Sequence, residues 1–119
     1  ILGSMEFATK LAGTKVVVVL GHTACGAVKG ACDHAKLGNL TGMLEKIAPA
    51  VTAVTEPADV ALRTSSNIDF VNRVAVKNVH MAIDKLRAMS PVLKEMEAAG
   101  DIKVVGAMYH IENGQVDFL

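Results

Sequence analysis

Residues 16–26 of this 119-residue chain read Val-Val-Val-Val-Leu-Gly-His-Thr-Ala-Cys-Gly. The apolar run predicts a buried strand of a parallel sheet, and the glycine after it predicts a turn into a helix. Ligands of α/β proteins bind at the carboxyl ends of such strands. His22 and Cys25 follow the strand directly, so their side chains can converge on one point. This stretch therefore predicts a ligand site.

Imidazole and thiolate together are a donor pair that zinc favours. A histidine and a cysteine three residues apart also occur often by chance, which leaves a purely structural role for His22 and Cys25 open. Their position after a buried strand favours the metal, because Gly21 and Gly26 let the backbone come close to a ligand. A helix amino terminus at Cys25 would also stabilise a thiolate. His22 and Cys25 are therefore candidate metal ligands, with a structural role as the open alternative.

Three other chemistries fit the same stretch less well. Its glycines match the start of a phosphate-binding loop, but Ala27 and Val28 stand where the lysine and hydroxyl must follow. A nucleophilic Cys25 activated by His22 would give a cysteine-dependent hydrolase, although no acidic residue in the motif orients the histidine. A redox Cys-x-x-Cys pair would need cysteine at Val28. Metal binding remains the favoured chemistry.

The second cysteine is predicted to fill the core. If residues 24–35 form a helix, Cys25 and Cys32 lie about 10 Å apart along its axis. That distance exceeds the reach of a disulfide and of two sulfurs on one zinc ion. Cys32 is therefore not expected to join the site.

The remaining polar candidates have ordinary structural explanations. Asp33 and His34 are expected in solvent at a helix end, and His80 on the surface or in a hydrogen-bonded core position. Tyr109 is expected to be buried with its hydroxyl group satisfied, and His110 to lie near a hairpin. None of them is predicted to bind the metal.

Composition restricts the classes of function. The length suits one domain, residues 1–119, and the longest apolar run is far below the 18 to 20 residues that a membrane helix needs. Twelve basic and twelve acidic residues cancel without forming a basic cluster, so neither nucleic acid nor an anionic membrane is an expected partner. A small neutral or anionic ligand is expected instead.

Hydrophobic periodicity and turn residues predict an α/β domain with three layers, in which helices flank a mostly parallel sheet that ends in an antiparallel edge hairpin. The predicted helices span residues 4–12, 24–35, 40–51 with a bend or break at Pro49, 66–87 and 90–100, and the predicted strands span 15–20, 102–111 and 115–119. A tight turn at Asn113-Gly114 would join the last two strands.

The number of predicted strands does not match the burial pattern of the first strand. Residues 16–20 are apolar on both faces, as in a central strand with a neighbour on each side, yet the chain supplies only one other long buried strand. We therefore expect the missing neighbour to come from a segment before Ile1 or from a second subunit.

Three segments resemble the β-class carbonic anhydrases. They are Ser-Met-Glu-Phe-Ala at 4–8, Val-Val-Leu-Gly-His-Thr-Ala-Cys-Gly-Ala-Val at 18–28 and Ile-Lys-Val-Val-Gly-Ala-Met-Tyr at 102–109. Four shorter matches follow the order that the family uses: Asn39-Leu40, Asn78-Val79, Ser90-Pro91 and Asn113-Gly114. The resemblance spans nearly the whole chain.

The resemblance implies a zinc lyase that hydrates carbon dioxide reversibly to bicarbonate and a proton. His22 and Cys25 match two of the family's three protein zinc ligands. Zinc lowers the pKa of bound water from about 15.7 toward 7, which suits this reaction at neutral pH. Family members also form homodimers or higher homo-oligomers.

The chain departs from the family at the remaining ligand, a cysteine in a Cys-x-Asp-x-Arg segment of an earlier strand. No such segment occurs here, so the family's catalytic aspartate and arginine have no counterpart in these residues. We therefore expect a carboxyl-terminal portion of such an enzyme, inactive by itself. The alternative is a non-catalytic homologue that serves as an assembly or anion-binding module. For the cellular compartment of the protein, the default expectation is the cytoplasm.

Overall fold

The computed structural model describes residues 1–119. Its helices are α1 (Leu2–Glu6), α2 (Gly26–Cys32), α3 (Gly38–Glu45), α4 (Ala48–Ala53), α5 (Ile68–Met89) and α6 (Pro91–Ala98), with a π-helical segment at Phe7–Leu11 and a 3₁₀ turn at Val60–Leu62. Its strands are β1 (Val16–His22), β2 (Lys103–Tyr109) and β3 (Val116–Phe118). None of the helices has the length and apolar character needed to cross a membrane.

The three strands form one sheet in the order β1-β2-β3. β1 and β2 run parallel, with Val16 opposite Lys103 and His22 opposite Tyr109. β3 returns antiparallel to β2. The arrangement confirms the α/β class, the parallel pairing of the two long strands and the antiparallel strand at the end.

Helix α5 packs closely against one face of the sheet because both long strands carry glycine there. A Cβ atom at Gly21 would lie 2.7 Å from Val79 Cγ2, and one at Gly106 would lie 2.9 Å from Val79 Cγ1. Larger side chains would push the helix away from the strands. The largest fully buried apolar side chains lie in α5 and α6: Phe70, Val71, Val74 and Leu93.

Strand β1 differs from the predicted central strand. It extends beyond Leu20 to His22, and it lies at the edge of the sheet, paired with β2 alone. Its side chains alternate between half-buried and exposed, and Val16, Val18 and Leu20 each remain 48–55% exposed. The expectation that this chain provides only one long neighbour for β1 is confirmed.

Several predicted helices have different bounds in the structure, and the predicted helix at 4–12 is a short α-helix followed by a π-helical segment. Helix α2 begins at Gly26 rather than Ala24, because Ala24 has the left-handed φ of +52°, and it ends before His34, whose φ is +53°. The predicted helix at 40–51 is divided as expected, and Pro49 lies in the first turn of α4, where its missing N–H costs nothing. The predicted Ser90 cap of α6 is confirmed, because its hydroxyl oxygen accepts the N–H of Leu93.

The turn before β3 is wider than the predicted two-residue turn. His110 N–H donates to Gln115 O at 2.8 Å, which leaves residues 111–114 as the loop. Gly114 N–H also donates to His110 O, and Gly114 has a φ of +78°. Gly114 is left-handed as predicted, whereas Asn113, which was predicted to share that conformation, is not. The hydrogen bond from Gly114 N–H to His110 O closes a longer loop.

Candidate functional site

His22 is the last residue of β1, and one nitrogen of its ring is already engaged. Nδ1 lies 2.9 Å from the carbonyl oxygen of Thr23. A carbonyl oxygen only accepts, so Nδ1 donates in this contact and Nε2 is the ring nitrogen left to bind a ligand. Metal-binding histidines are commonly held in this way, with the second nitrogen bound to a backbone carbonyl. The ring is therefore prepared to ligate through Nε2.

Cys25 is the residue before the first turn of α2, where the backbone is extended at φ −60° and ψ 122°. Its side chain makes no capping hydrogen bond to the helix, and its sulfur forms no disulfide. The residue is half-buried and packs against the core cluster. Its thiol therefore has no competing structural partner.

His22 and Cys25 line the same cavity, which has a volume of about 180 Å³. β1, α2, α5 and the residue before α4 supply the other lining residues: Val19, Leu20, Gly21, Val28, Ile47, Ala75, Asn78, Val79 and Ala82. Nearly all of these are apolar or glycine. The two predicted donors thus meet at one mostly apolar cavity at the carboxyl end of β1.

The donor set matches the chemistry of zinc but is too small to complete a tetrahedral site. No group of three or more histidine, cysteine, aspartate or glutamate side chains in residues 1–119 is placed to hold a metal ion. Cys32 is 2% exposed in the core, as predicted, and does not join Cys25. The chain brings together two donors, and their role as ligands stays a prediction.

Asn72 of α5 holds the backbone between the two donors, and the sequence did not indicate this role. Ala24 has a φ of +52°, a conformation that costs a non-glycine residue about 1–2 kcal/mol. Its N–H donates to Asn72 Oδ1 of α5 at 2.9 Å, and such a bond offsets about 1 kcal/mol. Because Asn72 is 48 residues away, no local pattern indicates this contact.

Thr23 is a second missed residue. It is buried, and its hydroxyl donates to Glu112 Oε2 at 2.8 Å while accepting the N–H of Ile111 at 3.1 Å. Its own N–H donates to Tyr109 O at 3.0 Å. These bonds fasten the end of β1, beside His22, to the end of β2 and the loop that follows it.

His110 connects that loop to β3. Its Nε2 lies 2.8 Å from Asp117 Oδ2, and its Nδ1 lies 3.4 Å from Glu112 Oε1. The hydrogen bond to Asp117, with a smaller effect of Glu112, raises the pKa of His110. The pKa of Asp117 is lowered, first by the Gln115 side chain and then by His110. The pKa of Glu112 is lowered, first by a backbone N–H and then by the Thr23 hydroxyl.

The other polar candidates lie away from the cavity. His34 and His80 are exposed, as expected for a helix end and for a surface position. Asp33 accepts the N–H of Ser65 at 2.9 Å, and hydrogen bonding from Ser65 lowers the pKa of Asp33. The prediction that Tyr109 is buried is wrong: it is 38% exposed, because it lies on the open face of the sheet opposite His22.

Comparison with known proteins gives a consistent result. A family model described as carbonic anhydrase matches residues 1–116. Carbonic anhydrase 2 of Mycobacterium tuberculosis is 30% identical over 120 residues, which cover 97% of this chain and 54% of that protein. The chain spans about half the length of the curated relatives it matches.

Solved structures show the same similarity. The β-carbonic anhydrase CafA of Aspergillus fumigatus superposes with a TM-score of 0.79 at 31% identity, over 98% of this chain and 54% of that chain. A structure from a study of two tetrameric β-carbonic anhydrases of Sordaria macrospora superposes with a TM-score of 0.77 at 25% identity, over 98% and 58% of the two chains.

Proposed function

Because this chain belongs to the β-class carbonic anhydrase family, we propose that the whole protein hydrates carbon dioxide reversibly to bicarbonate and a proton with the help of zinc. His22 and Cys25 are two of the zinc ligands in this proposal. The observation that supports it is the shared cavity, which both His22 and Cys25 line at the carboxyl end of β1.

The hydrogen bond of the His22 ring supports its assignment. Its Nδ1–H donates to the Thr23 carbonyl, which orients the ring and leaves Nε2 as the ligating atom. Cys25 contributes a thiol without a competing hydrogen bond to the helix. A bound zinc ion supplies a Lewis acid that lowers the pKa of water toward 7.

The walls of the cavity suit the proposed substrate. Carbon dioxide is small, uncharged and without a dipole moment, so apolar side chains accept it at little cost. Val19, Val28 and Val79 provide such a wall beside the two donors.

The third protein ligand is proposed to come from the family's Cys-x-Asp-x-Arg segment, outside these 119 residues. That segment would also supply the aspartate and the arginine that accompany the zinc ion in the family. We therefore propose that the 119-residue chain alone retains little zinc and does not hydrate carbon dioxide.

The proposed assembly is a homodimer or a higher homo-oligomer. The open face of β1 exposes three apolar side chains, Val16, Val18 and Leu20, which a partner would shield from water. The similarity to a structure from the tetrameric Sordaria macrospora enzymes supports the same proposal.

Paired substitutions in the whole protein test the zinc ligands. Cys25→Ala and His22→Ala are compared with Cys32→Ala and His80→Ala, which change the same residue types away from the cavity. Zinc content per chain and the rate of carbon dioxide hydration are measured for all four. We expect the first pair to lose most of both quantities and the second pair to retain both.

Two results would contradict the proposal in different ways. Full zinc occupancy in Cys25→Ala would show that Cys25 is not a ligand. A whole protein that binds zinc through both residues and still fails to hydrate carbon dioxide would support the non-catalytic alternative, an assembly or anion-binding module.

A further inference from the structure

The loop between the two proposed ligands is fixed by a side chain from α5. We propose that Asn72 is a positioning residue of the zinc site, which holds Ala24 in its left-handed conformation and thereby places Cys25 relative to His22. This inference rests on the proposed function, because it concerns the placement of the two zinc ligands. It adds a residue whose hydrogen bond goes to the backbone between the two ligands.

The geometry gives Ala24 a decisive role in the loop. Only Thr23 and Ala24 separate the two ligands, and Ala24 alone of the two has a positive φ, +52°. A change of this angle to the ordinary negative region would redirect the chain and carry the Cys25 sulfur away from His22. Alanine has no intrinsic preference for the left-handed region, so an outside contact must maintain it.

Asn72 supplies that contact from a well-fixed position. Its Oδ1 accepts the Ala24 N–H at 2.9 Å. Its neighbours in α5, Phe70, Val71 and Val74, have no exposed surface and belong to the core cluster. Because those side chains anchor this part of α5, the acceptor atom is held in place and can define the path of the loop.

The other end of the loop is fastened separately. Thr23 N–H donates to Tyr109 O, and the Thr23 hydroxyl bonds to Glu112 and to the Ile111 N–H. These contacts hold the end of β1 against the β2 side of the sheet, whereas the Asn72 bond holds the next residue against α5. The two ligands therefore depend on two different attachments, and that of Cys25 is Asn72.

The test compares substitutions at Asn72 in two backgrounds of the whole protein. Asn72→Leu removes the acceptor at similar size, Asn72→Asp keeps an acceptor oxygen, and Ala24→Gly makes the left-handed conformation free of strain. The zinc dissociation constant is measured by competition with a chelator. Exchange of the amide hydrogen of residue 24 reports directly on the bond.

We expect N72L to weaken zinc binding by about tenfold and to speed exchange of the Ala24 amide. N72D should keep that amide protected. In the Ala24→Gly background, N72L should weaken zinc binding by less than about threefold, because glycine adopts the positive φ without help. If N72L does not fold, Asn72→Ala replaces it in the same comparison.

The inference is overturned if a folded N72L protein binds zinc as tightly as the parent protein. It is also overturned if N72L causes equal losses with alanine and with glycine at position 24, since the effect would then not act through the left-handed conformation. A different result would show that the proposed function is wrong. Cys25→Ala would then bind zinc as tightly as the parent protein, while N72L would still speed exchange of the Ala24 amide.

Discussion

The Thr23 hydroxyl donates a 2.8 Å hydrogen bond to Glu112 Oε2, a residue 89 positions later in the chain. The same hydroxyl oxygen accepts the N–H of Ile111. Thr23 directly follows His22, so this part-buried contact joins the loop before β3 to the carboxyl end of β1. The placement of the first proposed ligand thus depends on the far end of the chain.

Replacement of Thr23 by valine should destabilise the protein by about 0.5–1.5 kcal/mol, because it removes both hydrogen bonds of a buried hydroxyl group, while water can still reach the exposed residues Ile111 and Glu112. Denaturant unfolding measures the change. Thr52→Val is the matched control, since the Thr52 hydroxyl bonds only to Ala48 O on an exposed helix surface. The control should stay within about 0.5 kcal/mol of the parent protein. Equal losses in the two variants would contradict this account of Thr23.

The His110 contacts predict a pH dependence of stability. The pKa of His110 is raised above its ordinary value of 6.5, so its contribution is full below pH 6.5 and is lost as the pH rises through the raised pKa. The pKa values of Glu112 and Asp117 are lowered, so their contributions are present above their ordinary values of 4.5 and 3.8 and are lost as the pH falls through the lowered values.

The stabilisation from this group of three residues should therefore be greatest between pH 4.5 and 6.5. Unfolding curves recorded at several pH values test the upper limit. The free energy of unfolding should decrease above pH 6.5 in the parent protein and in His80→Gln. His110→Gln should weaken this decrease, and an unchanged pH profile in that variant would show that His110 is not its source.

The contact between Gly21 and α5 predicts a coupled pair of substitutions. A methyl group at Gly21 would lie 2.7 Å from Val79 Cγ2 and 2.8 Å from Met108 Sδ, so Gly21→Ala should destabilise the protein by about 1–3 kcal/mol. Val79→Ala removes the nearer of these atoms, so the double variant should lose less stability than the sum of the two single changes.

Gly42→Ala is the control for Gly21→Ala, because a Cβ at that helical position would have no atom within 4 Å other than those of its chain neighbours and its own helix backbone. It should be neutral or stabilising by up to about 1 kcal/mol. Unfolding free energies that add for Gly21→Ala and Val79→Ala would mean that the strand and the helix do not meet as described.

The open face of β1 predicts a dependence of assembly on Val18. Val18→Asp places a charge at the centre of the exposed apolar row, which should disrupt an oligomer formed through this face and leave a smaller species. Light scattering coupled to size-exclusion chromatography measures the mass. Val60→Asp, at a 70% exposed position outside the sheet, should keep the mass of the parent protein. An unchanged mass in Val18→Asp would exclude this face from the interface.

The sequence predicted the features that local patterns control. The apolar run before Gly21 identified β1, and the Ser90-Pro91 pair identified the start of α6, because strand burial and helix capping depend on neighbouring residues. The position of His22 and Cys25 followed from the same strand. Their common cavity could be expected because ligand sites form at the carboxyl ends of parallel strands.

The missed features depend on contacts between distant parts of the chain. The left-handed Ala24 has no signature in its residue type, and its partner Asn72 lies 48 positions away. The hydrogen bond between Thr23 and Glu112 spans 89 positions. The wider turn follows from the hydrogen bond between Gly114 N–H and His110 O. Such contacts are determined by packing, so a reading of periodicity and spacing does not reveal them.

The most direct test of the account is the position of zinc in the whole protein, located by anomalous diffraction at the zinc absorption edge. We predict one zinc ion with His22 Nε2 at about 2.0–2.1 Å and Cys25 Sγ at about 2.3 Å. The ion should disappear in crystals of Cys25→Ala and persist in those of Cys32→Ala. A zinc ion bound elsewhere, with the His22 and Cys25 side chains unligated, would contradict the account.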